Sequence, residues 1–179
     1  MDLAVIELCQ SVVEQLLVTN RFVGIAEIDL LAYAQPAFYL ILGFPSEDTE
    51  VNYIERDIKT KGLWYVTFLY RGKLNPHSNF NPDIHLLLNF EKTGLAHDGE
   101  TSKIPHPRGL SGCGIWRLTE SESWENWKPE HMKLVAIQHR YDEHRNYVMG
   151  SWVRHAMQMV WHRYKELRPG MQIQIPQSG

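Results

Sequence analysis

The chain has no surplus of positive charge: 18 Lys and Arg stand against 21 Asp and Glu, a formal net charge of -3. Neutralising a phosphate backbone needs a basic surplus, so general nucleic-acid binding is not expected. Cysteine is scarce, with Cys9 and Cys113 alone, too few for a disulfide framework. That points to a reducing compartment, the cytoplasm. No stretch reaches the roughly 20 apolar residues that cross a bilayer. Asp2 and Glu7 sit where a secretory signal carries positive charge, so neither export nor membrane insertion is expected. Tight metal motifs are missing too. The densest group of possible ligands, His139 and His144 with Asp142 and Glu143, lacks metal-site spacing, and no metal or cofactor is expected.

What is present is a hydrophobic content of 44% in 179 residues, with aromatics spread along the chain. This suits one globular domain, read here as residues 1–167 followed by a tail at 168–179. Ala4 to Leu8 has the character of a buried strand that opens without a lead-in, as though in mid-domain. Val12, Val13, Leu16 and Leu17 then fit a short helix over Ser11 to Val18. Phe22 to Ile28 and Ala37 to Leu42 read as strands, the second ended by Gly43-Phe44-Pro45. A strand pair is expected between Asn52 and Arg71, turning at Thr60-Lys61-Gly62, with Trp64, Val66, Phe68 and Tyr70 on an inward face. Asn75 to Pro82 reads as loop, Asp83 to Phe90 as strand, and Ile115 to Leu118 and Leu134 to Gln138 as strands flanking an exposed excursion, Thr119 to Glu130. From Ser151, a plausible N-cap, to Glu166 the apolar residues recur at three and four, which predicts a terminal helix. The order is mainly β and predicts an antiparallel six-stranded barrel, with a short helix near the N-terminus and an α-helix at the C-terminus.

The segment Gly109-Leu110-Ser111-Gly112-Cys113-Gly114 carries the clearest chemistry. Acyl transfer at a serine needs a hydroxyl on a tight turn, a base, and backbone N–H groups aimed at the developing oxyanion. Ser111 supplies the hydroxyl, and flanking glycines allow the amides of Gly109 and Ser111 to form the oxyanion hole. Cys113 lies two residues past the position the turn presents and reads as a small buried thiol. Among nine histidines, none stands in an evident base position. His106, five residues before Ser111 and between Pro105 and Pro107, reads as an exposed loop residue.

The loop, followed by the apolar strand at Ile115-Trp116, resembles the Gly-x-Ser-Gly-Gly-Pro pattern of trypsin-like serine peptidases, with Cys113 and Gly114 in place of Gly-Pro. Leu134-Val135-Ala136-Ile137 is similar to that family's next strand, which lines the substrate cleft, and Leu40 to Pro45 to its apolar-apolar-Gly-Tyr-Pro strand. At the front, Asp2 to Leu8 resembles the segment carrying the triad aspartate. The resemblance implies a barrel of trypsin-like type, with Ser111 as nucleophile, Asp2 as orienting carboxylate, and Ile137, Gln138 and His139 lining a cleft for a peptide or protein substrate. It also implies that Pro105, six residues before Ser111, sits where the family sets specificity, without a charge to select Lys or Arg.

The resemblance covers only the second half of a two-barrel peptidase, whose histidine normally lies upstream of the aspartate. An upstream barrel or a partner chain would have to supply it, and the chain as it stands is expected to be nearly inert. The alternative is a non-catalytic domain that binds peptide as an added strand beside Leu134 to Gln138. An esterase-like hydrolase of another fold lacks support, because a strand follows Ser111 rather than a helix.

Overall fold

A computed structural model describes residues 4–74, 79–96, 99–118 and 128–170. Helix α1 (Gln10–Leu17) comes first, then β1 (Phe38–Gly43). Strands β2 (Thr49–Asn52) and β3 (Asp57–Thr60) form a hairpin, followed by β4 (Leu63–Thr67) and β5 (His85–Asn89). A second hairpin joins β6 (Thr93–Leu95) to β7 (Thr101–Lys103), and β8 (Gly114–Leu118) follows. Strands β9 (Met132–Asp142) and β10 (Tyr147–Trp152) lead directly into helix α2 (Val153–Arg163).

Six strands form one antiparallel sheet in the order β4-β1-β8-β9-β10-β5. The sheet curls into a half-barrel, and the chain just past β4 returns to the far strand. Asn89 N donates to Phe68 O and Tyr70 N to Leu87 O, each at 3.0 Å, and Leu69 bridges Leu88. The concave side holds the core, with Tyr39 and Ile41 from β1, Leu86 and Leu88 from β5, Ile115, Ala136, Val148 and Trp152 in one cluster. Local chemistry sets two of the turns. Between β9 and β10 the Asp142 carboxylate accepts from His144 N and Arg145 N, both at 3.1 Å, and Asn146 takes the left-handed conformation at φ 51°. Asn52 plays the same part for Ile54 N and Glu55 N in the β2–β3 hairpin.

The mainly β sheet, the early helix and the terminal helix agree with the sequence reading, and several finer expectations do not. Ala4 to Leu8 is exposed chain outside any strand; its described contact is with a side chain, Tyr164 OH donating to Glu7 Oε2 at 2.5 Å, and no described strand pairs its backbone. Phe22 to Ile28 is a short 3-10 turn at Ile25–Glu27 with one bridge from Ile28 to Leu134. The segments either side of Lys61 do not pair with each other, since β3 bonds back to β2 and β4 to β1. Trp64, Val66 and Phe68 point outward, because Leu63 and Tyr65 of the opposite parity join the core. Ser151 caps nothing: it is fully buried within β10, a strand the reading missed by starting the helix there. The segments 75–78 and 119–127, read as loops, and 171–179 of the tail lie outside the described residues.

Candidate functional site

Two consecutive turns present Ser111. Leu110 N donates to Pro107 O at 3.1 Å and Cys113 N to Leu110 O at 2.9 Å. Gly109 and Gly112 adopt φ values of +94° and +93°, a region that costs a side-chain-bearing residue strain. Between them Leu110 is completely buried in the core, which plugs the loop into the half-barrel and leaves Ser111 exposed beside it.

The loop is clamped from both sides. Ser46, past the end of β1, donates from N at 2.8 Å and from Oγ at 3.1 Å to Arg108 O. A Cβ on Gly109 would stand 2.7 Å from Ser46 N, so only glycine allows that approach. On the other side Gly112 N donates to Gln138 O at 2.8 Å and Gln138 N to Cys113 O at 2.9 Å, which sews the turn to β9. Gly43 completes the bay, because a Cβ there would lie 2.8 Å from Leu110 Cδ2 and 2.9 Å from Cys113 Cβ.

Among the described residues nothing hydrogen-bonds Ser111 Oγ, and the amides of Gly109 and Ser111 donate to no described acceptor. A hydroxyl and two unspent N–H groups therefore share one turn. The neighbouring Cys113 is no competitor as nucleophile, since burial pushes its thiol up to about 11 and keeps it protonated near neutrality.

Of the residues expected to line a cleft, the structure ties Ile137 and Gln138 to the serine loop through backbone. Ile137 pairs with Gly114, and Gln138 bonds the turn itself. The Gln138 side chain folds back, Nε2 donating to Arg140 O at 3.1 Å, while Oε1 is buried with no donor among the described residues. His139 occupies a bulge, the register passing from Arg140 to Gln138, and its ring lies 5.5 Å from that of His85 on β5. Pro105 is half-buried on the segment approaching the turn and offers no polar group. Asp2 lies outside the described residues.

His106 serves the approach to the turn. Its amide donates to Glu47 Oε2 at 2.8 Å, its Nδ1 accepts from Arg108 N at 3.1 Å, and its ring meets Tyr141 edge-on at 5.5 Å. The His106 amide, with Lys103 beside it, holds the Glu47 carboxyl below the usual carboxylate range. The carboxylates weighed as metal ligands are also engaged, Asp142 in its turn and with Arg145, and Glu143 with Lys92 at 3.2 Å. No group of three or more His, Cys, Asp or Glu among the described residues can hold a metal ion.

Two features escaped the sequence reading. One is the hold of Ser46 on Arg108, 62 positions away. The other is the pairing of His85 with His139. His85 is buried, its Nδ1 accepts from Asn81 N at 3.1 Å, and burial, followed by the charges of His139 and His155, lowers its pKa. Only the shared histidine identity signalled that pair, and strand order had to bring β5 and β9 to opposite sides of β10. No described helix is long and apolar enough to cross a membrane. Comparison with protein-family models, with curated proteins and with solved structures finds no match.

Proposed function

We propose that the chain is the second barrel of a trypsin-like serine peptidase homologue, in which Ser111 is the nucleophile and the amides of Gly109 and Ser111 receive the oxyanion. The observation that carries this reading is the serine turn: an exposed Ser111 between two positive-φ glycines, with both amides unspent and the loop fixed to Ser46 and Gln138. Fixed donors matter because removing one from an oxyanion hole typically costs about 2.7–4 kcal/mol in the transition state. Ile137, Gln138 and His139 would border the peptide substrate, Pro105 the specificity position, and Asp2 would orient a histidine from an upstream barrel or partner chain. Two free cysteines suit a reducing compartment such as the cytoplasm.

With no base on Ser111 among the described residues, the chain alone should be nearly inert. A fluorophosphonate probe tests this. Labelling no stronger than that of Ser111→Ala is expected, and strong labelling abolished by Ser111→Ala would overturn the inert assignment. A second reading is a peptide-binding domain, but no strand can be added beside Leu134 to Gln138, where it was expected, because that stretch lies between β8 and the serine turn on one side and β10 on the other. Only the residues of β9 past Gln138 extend beyond β8 and the turn. Peptide bound equally well by Ser111→Ala and wild type, with no labelling, favours that reading.

A further inference from the structure

The convex side of the half-barrel bears an apolar face of its own. Leu40 pairs with Val66 and Leu42 with Trp64, so these side chains share the outer face, and Phe38 and Phe68 extend it at one end. Across β1, Leu40 also pairs with Trp116 and Phe38 with Leu118, which carries the face onto β8. Trp116 lies over Gly114 beside Leu134, for a Cβ on Gly114 would sit 2.8 Å from Trp116 Nε1 and 3.0 Å from Leu134 Cδ1. The outward positions of these three strands carry no charged residue.

Much of this face is open to water: Trp64 is 75% exposed, Phe68 56%, Val66 54% and Phe38 51%. Strand β1 is apolar on both sides, Phe38-Tyr39-Leu40-Ile41-Leu42, and Leu40 on the outer side is already buried within the chain, 5% exposed, so the open part of the face runs along Trp64, Val66 and Phe68 with Phe38 beside them. The exposed area is also large. Each of the four residues leaves on the order of 100 Å² to water. They alone offer about half of the roughly 800 Å² per partner of an ordinary interface, before the smaller exposed parts of Leu42, Trp116 and Leu118 are added.

We infer that this face is a dimer interface, covered by the same face of a second copy of the chain. An uncharged apolar surface is complementary to itself: two copies related by a two-fold axis meet without like-charge repulsion, and the polar side-chain groups on it are the indole N–H groups of Trp64 and Trp116, which must reach an acceptor or stay at the wet rim. Two sheets stacking face to face is an ordinary mode of β packing. The inference is independent of the chemistry at Ser111.

Sedimentation equilibrium of the full chain from low to high micromolar concentration tests it. The expected mass is twice the 20.9 kDa of one chain. Trp64→Glu should raise the dissociation constant by on the order of a hundredfold while leaving the far-ultraviolet circular dichroism unchanged, and Phe68→Lys should do the same should Trp64→Glu fail to fold. Ile54→Glu, at the 95%-exposed tip of the β2–β3 hairpin, should leave the dimer intact. A monomeric wild-type chain, a dimer indifferent to both face substitutions, or one equally broken by Ile54→Glu overturns the inference.

Discussion

Helices α1 and α2 both follow an amphipathic pattern, yet they end in opposite situations. Helix α1 carries Val12, Val13, Leu16 and Leu17 and contains no buried residue. Helix α2 is fastened at its first turn: Trp152, just before it, is buried and donates from N to Ile84 O at 2.9 Å and from Nε1 to Pro82 O at 3.0 Å. Arg154 donates to Ala32 O and Asp83 O, each at 2.6 Å, and His155 Nε2 to Asp83 O at 2.9 Å. Neither helix has a side-chain N-cap, so capping does not separate them. The apolar stripe states that a helix will form; the carbonyls of one turn, Pro82 to Ile84, decide which helix is docked.

The sharpest way to break this contrast is at Trp152. Trp152→Ala empties a fully buried site and should cost about 3–5 kcal/mol in urea denaturation, and a loss below about 1 kcal/mol would show that α2 is not anchored there. A smaller effect should follow from pH. His85 accepts a hydrogen bond from the turn that receives α2, and its folded pKa is lowered, first by burial and then by His139 and His155. The unfolded chain therefore binds this proton more readily than the folded one. The stability is fully present above the unfolded value near 6.5 and is lost as pH falls through the folded value. Unfolding free energy followed from pH 7.5 downward should decline in wild type and flatten in His85→Phe. The smallest effect belongs to α1: Leu16→Asp should change the melting free energy by no more than about 0.5 kcal/mol, and a larger loss would mean that α1 has a partner in solution.

The sequence revealed the elements whose pattern is local. Helix α1, strand β1 and its stop at Gly43, strand β5 and the serine turn all follow from short-range periodicity or glycine placement. Strand β10 escaped because Tyr147-Val148-Met149-Gly150-Ser151-Trp152 is buried on both sides, and a continuous run has no period of two to betray it. The inside of β4 was assigned to the wrong parity for a related reason: Trp64, Val66 and Phe68 are as apolar as Leu63, Tyr65 and Leu69, so alternation carried no sign. In Ala4 to Leu8 an apolar composition was visible, but a strand also needs a neighbour, and no described strand supplies one. At the candidate site, the turn that carries Gly109 and Ser111 was legible from glycine placement, whereas Gln138 entered only through what the family resemblance implies. The clamp by Ser46 and the His85–His139 pair depend on contacts between distant positions, which no local pattern encodes.

Strand β9 divides its length between two partners, β8 through Ile137 and β10 from Ala136 onward, with the bulge at His139 where it passes from one to the other. The bonds of Gly112 and Cys113 to Gln138 fall at that handover. Releasing the serine loop therefore means undoing the junction between the two halves of the sheet. The loop is expected to open together with that junction rather than alone, so hydrogen exchange at the Gly112 amide should match exchange at the Gln138 amide.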